Sequence, residues 1–144
     1  MAYTTQAKLE SAIGAAAILR LTDDEKAGST VVARVTAAIL SADQEIDAYA
    51  RKHYSVPIAA PVPAMVEKLS TDLAVYYLFR RRLAEVGIPV DVQELRKEAL
   101  RQLEAINAGK LDLGVEGPPA ASSAEIAQTD GAERLFTADT MEDF

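Results

Sequence analysis

Apolar residues recur at three- and four-residue steps over most of residues 1–109, the spacing of amphipathic α-helices. The clearest stripe predicts a helix that starts at Ser29 or Thr30, either of which suits an N-cap, and runs to about Tyr54. Its apolar positions are Val31, Val35, Ala38, Ile39, Ala42, Ile46, Tyr49, Ala50 and His53. Because only one face is apolar, this helix must pack against others.

Further helices are predicted on both sides of it. The segment SVPIAAPVP breaks the pattern, since its three prolines fix the backbone and remove N–H donors. A helix should follow from Pro63 to just before Gly87, and a last one should run from Asp91 to Gly109. With a shorter helix after Thr5 and an alternating KLDLG segment, the pattern predicts an all-α fold, a small bundle of three to four helices with a short extended segment and a long C-terminal arm.

Charge divides the chain into two parts. Residues 1–111 contain 14 acids and 14 bases, whereas residues 112–144 contain eight acids and one base, and this excess of seven acids is the whole net charge of −7. The acidic part includes GVEGPPAASSAEIAQTDG, whose composition is typical of a linker. We therefore predict a helical body over residues 1–114 and an acidic linker and arm over residues 115–144.

The predicted arm nevertheless carries large apolar residues, namely Leu135, Phe136, Met141 and Phe144. A tail that only solubilised the protein would not need them. We interpret them as partner-binding anchors that are buried, at the cost of ordering the arm, only when the partner is present. The alternative interpretation is a plain disordered tail.

Several classes of function find no support in the residues. The chain has no cysteine, which removes disulfides and thiolate metal sites and fits a reducing compartment. No apolar run is long enough to span a bilayer, and the first residues do not resemble a signal peptide, so we expect synthesis in the cytoplasm and no membrane partner. Motifs for a nucleophile or a phosphate-binding loop are absent from the sequence. We expect neither enzyme activity nor a cofactor.

Three further residues are candidates for a chemical role. His53, the only histidine, lies on the apolar stripe, so we predict a packed or half-exposed side chain rather than a ligand or base. Asp43 and Asp47 lie one helical turn apart and could share a metal ion. A solvated acidic face that also includes Glu45 is the favoured interpretation.

Asp72 shares a helix face with Leu69 and Leu73. A buried carboxylate must find a partner or lose its charge. We therefore predict that Asp72 is a structural buried polar residue, bonded to a tyrosine or an arginine of another element.

Arg80, Arg81 and Arg82 span nearly a full turn near the end of a predicted helix, so they cannot all point the same way. The simpler interpretation is a solvated helix end whose positive charge complements the helix dipole. The alternative is a contact with another subunit, a partner or a phosphate.

Four segments together resemble the head–tail connector proteins of Mu-like phages and prophages. They are MAYTTQAKLESAIG, SADQEIDAYARKHYSVPI, PVPAMVEKLSTDLAVYYLFRRR and EALRQLEAINAGKLDLG. The resemblance covers about residues 1–114 and returns weakly at ERLFTADTMEDF. The ordered set of segments carries the resemblance, with Asp72 and Tyr76 among the matching residues.

The resemblance implies a structural protein of the virion neck, made in the host cytoplasm. Such adaptors form rings, expected to be twelvefold, below the portal protein; the ring extends the DNA channel and binds the tail or the next neck protein. DNA would pass through without sequence-specific binding, and no cofactor is implied. The alternative from another class is a small cytoplasmic helical regulator, similar to an antitoxin, whose disordered acidic tail captures a basic partner.

Overall fold

A computed structural model describes residues 1–115 of the chain. Six helices follow one another: α1 (Gln6–Ile13), α2 (Ala15–Thr22), α3 (Val32–Ala50), α4 (Ala64–Arg81), α5 (Leu83–Val86) and α6 (Val90–Asn107). No β-strand occurs within residues 1–115. The predicted all-α fold is confirmed.

The centre of the fold is the antiparallel pair of helices α3 and α4. Together with α6, they are the three longest helices of the described residues. Helix α6 packs against both of them, and the α1–α2 hairpin covers α4 on another side. The interior side chains are almost entirely aliphatic: Leu9, Ile18, Leu21, Ile46, Leu69, Leu73, Leu78, Leu103 and Ile106. Each of these buried side chains contributes about 2 kcal/mol of transfer free energy, so apolar burial is the main force that holds the bundle together.

The N-terminal helix predicted after Thr5 is two helices. Gly14 separates α1 from α2, and its positive φ of 85° is a left-handed conformation that favours glycine. The apolar spacing continues across this break, and Leu9 and Ile18 are both buried. The prediction therefore found the correct buried face but missed the turn within it.

Helix α3 starts later than predicted, and neither Ser29 nor Thr30 caps it. Its N-cap residue is Val31, which has no side-chain hydrogen bond to give. The Thr22 hydroxyl, at the end of α2, instead accepts a hydrogen bond from the Val31 N–H at 3.3 Å. A donor at the start of α3 is thus satisfied by a distant element, which a local capping rule cannot anticipate.

Residues 51–63 form the connector between α3 and α4, which we call the proline loop. It contains cis peptide bonds before Pro57 and Pro61. Residues 110–114, predicted as a short extended segment, pack beside the loop without a β-partner. The Tyr54 hydroxyl donates to the Asp112 carboxylate at 2.9 Å and accepts from the Leu113 N–H at 3.0 Å. These bonds fix the end of the described chain against the proline loop; the predicted boundary after Gly114 stays a prediction.

Candidate interaction surfaces and polar clusters

The most deeply buried carboxylate belongs to Asp43, which lies on α3 and is 5% exposed. It accepts hydrogen bonds from the Ser70 hydroxyl of α4 at 2.6 Å and from the Tyr3 N–H at 3.1 Å. Burial raises the pKa of Asp43, and these two bonds oppose the rise. Asp43 therefore joins three parts of the chain, and the prediction that it belongs to a solvated acidic face is wrong.

Tyr3 extends this cluster. Its buried hydroxyl donates to the Asp47 carboxylate and accepts from the Ile58 N–H at 2.8 Å. Burial, reinforced by the hydrogen bond to Asp47, raises the pKa of Tyr3. Both aspartates considered as metal ligands are thus bonded to protein donors. Within residues 1–115, no group of three or more acidic, histidine or cysteine side chains is placed to hold a metal ion.

A second cluster surrounds Asp24, in the loop between α2 and α3. Arg81 binds both oxygens of its carboxylate at 2.7 Å, and Arg34 and Arg82 approach to 3.0 and 3.5 Å. The hydrogen bond and charge of Arg81, with smaller contributions from the other two arginines, lower the pKa of Asp24 to about 2. One exposed carboxylate thus gathers three guanidinium groups, from α3, from α4 and from the residue that follows α4.

The same arginines also bind the end of α2. Arg82, Arg81 and Arg34 donate to three successive backbone carbonyls, those of Arg20, Leu21 and Thr22. Carbonyls in the last turn of a helix have no partner within the helix, and cations are favourable there. These guanidinium groups therefore serve as the cap that the sequence of α2 does not supply.

This finding divides the arginine run of α4. Arg81 and Arg82 are engaged within the chain, in keeping with the simpler, structural interpretation, although the helix end they complement is that of α2. Arg80 is exposed and forms no ion pair with the described residues. A contact with a subunit or partner through these arginines stays a prediction, and Arg80 is the member of the run best placed to make one.

The bonding partner of Asp72 differs from the predicted one. Its carboxylate binds Lys68, one turn earlier in the same helix, at 2.6 Å. The predicted bond to a tyrosine or arginine of another element is wrong, because a local partner at i,i−4 is already within reach. The structural role expected of Asp72 belongs instead to Asp43.

Two tyrosines and an arginine connect α6 to the central pair. The Arg96 guanidinium lies 4.2 Å from the centre of the Tyr76 ring, a cation–π contact, and also pairs with Glu45 of α3. The Tyr77 hydroxyl donates to the same Glu45 at 2.8 Å. The sequence did not lead us to predict this cluster, although it shows Arg96 among the polar residues of α6.

His53 is half-buried, as predicted, and its Nε2 lies 3.0 Å from the carbonyl oxygen of Asn107. A Cβ atom added at Gly109 would lie 3.6 Å from the same ring, so the backbone of the turn after α6 passes close to it. His53 thus holds the turn after α3 against the turn after α6.

An open groove of about 610 Å³ lies between the proline loop and the end of the described chain. We call it the proline groove; its lining residues are Ser55, Pro57, Ile58, Ala59, Ala60, Pro61, Val62, Pro63, Leu113, Gly114 and Val115. None of these side chains is charged. It is therefore an apolar surface at the point where the chain continues into residues 116–144.

The four predicted partner-binding anchors, Leu135, Phe136, Met141 and Phe144, lie outside the described residues. The structure therefore says nothing about their contacts. Within residues 1–115, no helix has the length and apolar character needed to cross a membrane.

The described body is a small helical bundle whose conspicuous polar clusters bond its own elements together. The chain belongs to the family described as Bacteriophage Mu, Gp36, which matches residues 3–130. No curated protein is significantly similar to the chain. The family match includes the described body from residue 3 onward and ends before the predicted anchors at residues 135–144.

Proposed function

We propose that this protein is a structural head–tail adaptor of a phage virion. Copies of it form a ring below the portal protein, extend the DNA channel and join the capsid to the tail or the next neck protein. The observation that carries the proposal is the family match over residues 3–130, together with the resemblance of the chain to connector proteins. The match establishes a Mu-phage family protein, and the adaptor role is our inference from it.

The body has properties that a ring subunit needs. Its polar clusters bond the N-terminal segment, α2, α3, α4 and α6 to one another, which favours a rigid unit that docks without rearrangement. The residues classed as exposed over the first three turns of α3 are all uncharged, namely Val32, Ala33, Thr36, Ala37 and Leu40. Val32 and Leu40 remain 58% and 55% exposed. Such an uncharged face suits a contact between neighbouring subunits.

The proposed role is structural and involves no catalysis. Asp43, Asp47 and Asp24 are each bonded to side chains or backbone groups of other parts of the body. Their arrangement is accounted for by folding alone. DNA would pass through the ring without sequence-specific contacts, and the exposed Arg80 is a candidate for contact with a neighbouring protein.

In this proposal the arm at residues 115–144 contributes to assembly. Leu135, Phe136, Met141 and Phe144 would be buried against a neighbouring subunit, the portal or the next neck protein. Each buried aromatic side chain would contribute about 2 kcal/mol of transfer free energy, multiplied around the ring. Apolar contact should therefore matter more than charge in this segment.

Deletion of the gene from the phage that encodes it tests the proposal. We expect DNA-filled heads and separate tails, seen by negative-stain electron microscopy, and complete particles when the wild-type gene is returned. A gene lacking the codons for residues 133–144 should fail to restore particles, whereas one encoding Glu142→Gln should restore them. Complete tailed particles without the protein would contradict the adaptor role.

A further inference from the structure

The proline groove differs in chemistry from three other hollows of the described body. These three hollows are lined partly by charged residues, such as Glu94 and Arg101, Arg20 and Lys26, or Arg34 and Arg81. The proline groove has no charged lining, and its floor includes the buried side chains of Ile58 and Leu113. An apolar segment would bind there without removing water from any charge.

Basic residues stand close in sequence to both walls of this groove. Arg51 and Lys52 are exposed at the start of the proline loop, and Lys110 is exposed three residues before Leu113. The contact of His53 with the carbonyl of Asn107 brings these two turns side by side. The nearby carboxylate of Asp112 is bonded to the Tyr54 hydroxyl and to the Gly114 N–H. The ligand that fits is therefore an apolar segment that also carries acidic side chains.

Residues 133–144 have this composition. Leu135, Phe136, Met141 and Phe144 alternate with acids, and the segment carries four acidic residues and a single arginine. The apolar side chains match the uncharged lining, and the acidic ones match the basic residues near it in sequence, Arg51, Lys52 and Lys110. Sequence and surface are thus complementary in both respects.

The attachment point favours the segment of the same chain. The groove wall ends at Val115, and residues 116–134 separate it from Leu135. A linker of that length and composition spans about 25 Å on average, which gives an effective concentration on the order of millimolar. A second copy competes on equal terms only when it is held beside the groove at comparable concentration.

We propose that residues 135–144 dock in the proline groove of their own chain. Free copies thereby cover their apolar anchors, and assembly of the virion neck exchanges this contact for one with a neighbouring protein. The intramolecular contact goes beyond the adaptor role and does not depend on it.

Disulfide trapping in the full-length protein tests the proposal, because the chain has no cysteine of its own. One variant carries Ala60→Cys in the groove and Thr137→Cys in the segment. The matched control carries Gln44→Cys, on the exposed side of α3, with the same Thr137→Cys. At high dilution we expect the first pair to form an intrachain disulfide roughly tenfold faster than the control, because docking raises the local thiol concentration.

Two outcomes overturn the proposal. Equal rates in the two variants would mean that residues 135–144 approach the groove no more often than they approach the exposed side of α3. A product that forms only between copies, identified by mixing tagged and untagged chains, would assign the groove to a second copy. Neither outcome bears on the gene-deletion test, so failure of this inference and failure of the adaptor role are distinguishable.

A substitution at the groove provides a second readout. Ala59→Glu adds bulk and negative charge to an exposed groove position, and Ala48→Glu makes the same change on the exposed side of α3. Added to the Ala60→Cys, Thr137→Cys protein, Ala59→Glu should reduce the trapping rate to that of the Gln44 control, and Ala48→Glu should leave it unchanged. Circular dichroism checks that both proteins are folded. Trapping that is insensitive to Ala59→Glu would contradict docking in the groove.

Discussion

Two aspartates tie separate elements of this bundle together in opposite ways. Asp43 is 5% exposed and bonds to uncharged donors, the Ser70 hydroxyl and the Tyr3 N–H. Asp24 has a side chain that is 34% exposed and bonds to three guanidinium groups. The first cluster fixes the N-terminal segment to the central helix pair, and the second fixes the loop after α2 to the other end of the same pair.

The contrast between Asp43 and Asp24 indicates that the number of ion pairs around a carboxylate is a poor guide to its contribution to stability. Water screens the exposed pairs at Asp24, and such pairs contribute little on average. Loss of Asp43 would leave two buried donors without an acceptor, and such donors are costly. We therefore expect the cluster with fewer charges to matter more.

The largest expected effect is that of Asp43→Ala. It leaves the Tyr3 N–H and the Ser70 hydroxyl unsatisfied and opens a small cavity, so we expect the free energy of unfolding to fall by about 3 kcal/mol. Urea denaturation followed by circular dichroism measures this change. Glu104→Ala, which removes an exposed acid of α6, is the matched control and should change stability little. Equal stability of the two variants would contradict the structural role of Asp43.

Tyr3→Phe should have the next largest effect. It removes the hydroxyl that bonds Asp47 and leaves the Ile58 N–H without its acceptor, so we expect a loss of about 1.5 kcal/mol by the same assay. Tyr49→Phe is the control, since that half-buried hydroxyl makes no hydrogen bond to the described residues. A Tyr3→Phe protein as stable as the Tyr49→Phe protein would contradict the contribution of the Tyr3 hydroxyl to stability.

Asp24→Asn should destabilise the protein less than Tyr3→Phe does, despite the three arginines. The arginines keep their bonds to the carbonyls at the end of α2. The melting-temperature difference from the wild type should also shrink as salt is added, because the lost pairs are exposed to solvent. If Asp24→Asn destabilised the protein more than Tyr3→Phe does, or if salt did not change its effect, the exposed ion pairs would contribute more than we expect.

The two aspartates should also respond to pH with opposite signs. The pKa of Asp24 is lowered to about 2, so its stabilisation is present above the unfolded-state pKa and is lost as the pH falls towards 2. The pKa of Asp43 is raised by burial, so the stability linked to its protonation is full below the unfolded-state pKa and is lost as the pH rises through the folded-state pKa.

Unfolding free energies of Asp24→Asn and Asp43→Asn at a series of pH values measure this difference. On acidification from neutral pH, the wild type should lose its advantage over Asp24→Asn and gain relative to Asp43→Asn. If both differences moved in the same direction, the contrast between the two environments would be wrong.

The helical fold could be predicted because its signal is local. The apolar stripes of α3, α4 and α6 are readable within each segment, and the prolines and glycines mark their ends. Gly14 escaped prediction because the buried positions keep helical spacing on both sides of it. The cap of α3 escaped because its acceptor, Thr22, belongs to another helix.

The polar clusters could be predicted only in part, because their partners are distant in sequence. Asp43 and Asp72 both lie on apolar faces, and nothing local says that Asp43 meets Tyr3 across 40 residues. The signal for Asp72 was present, since Lys68 stands one turn earlier in the same helix. The charge of the arginine run could likewise be predicted from the sequence. The carbonyls of α2 that Arg81 and Arg82 bind could not.

We propose that copies of this Mu-phage family protein assemble as a ring on the portal. Cryo-electron microscopy of the purified full-length chain mixed with the portal protein of the same phage tests this assembly. We expect closed rings of this chain bound to one end of the portal, with the uncharged exposed residues of α3 at the contact between neighbouring copies. A chain that stays monomeric and does not bind the portal would contradict it.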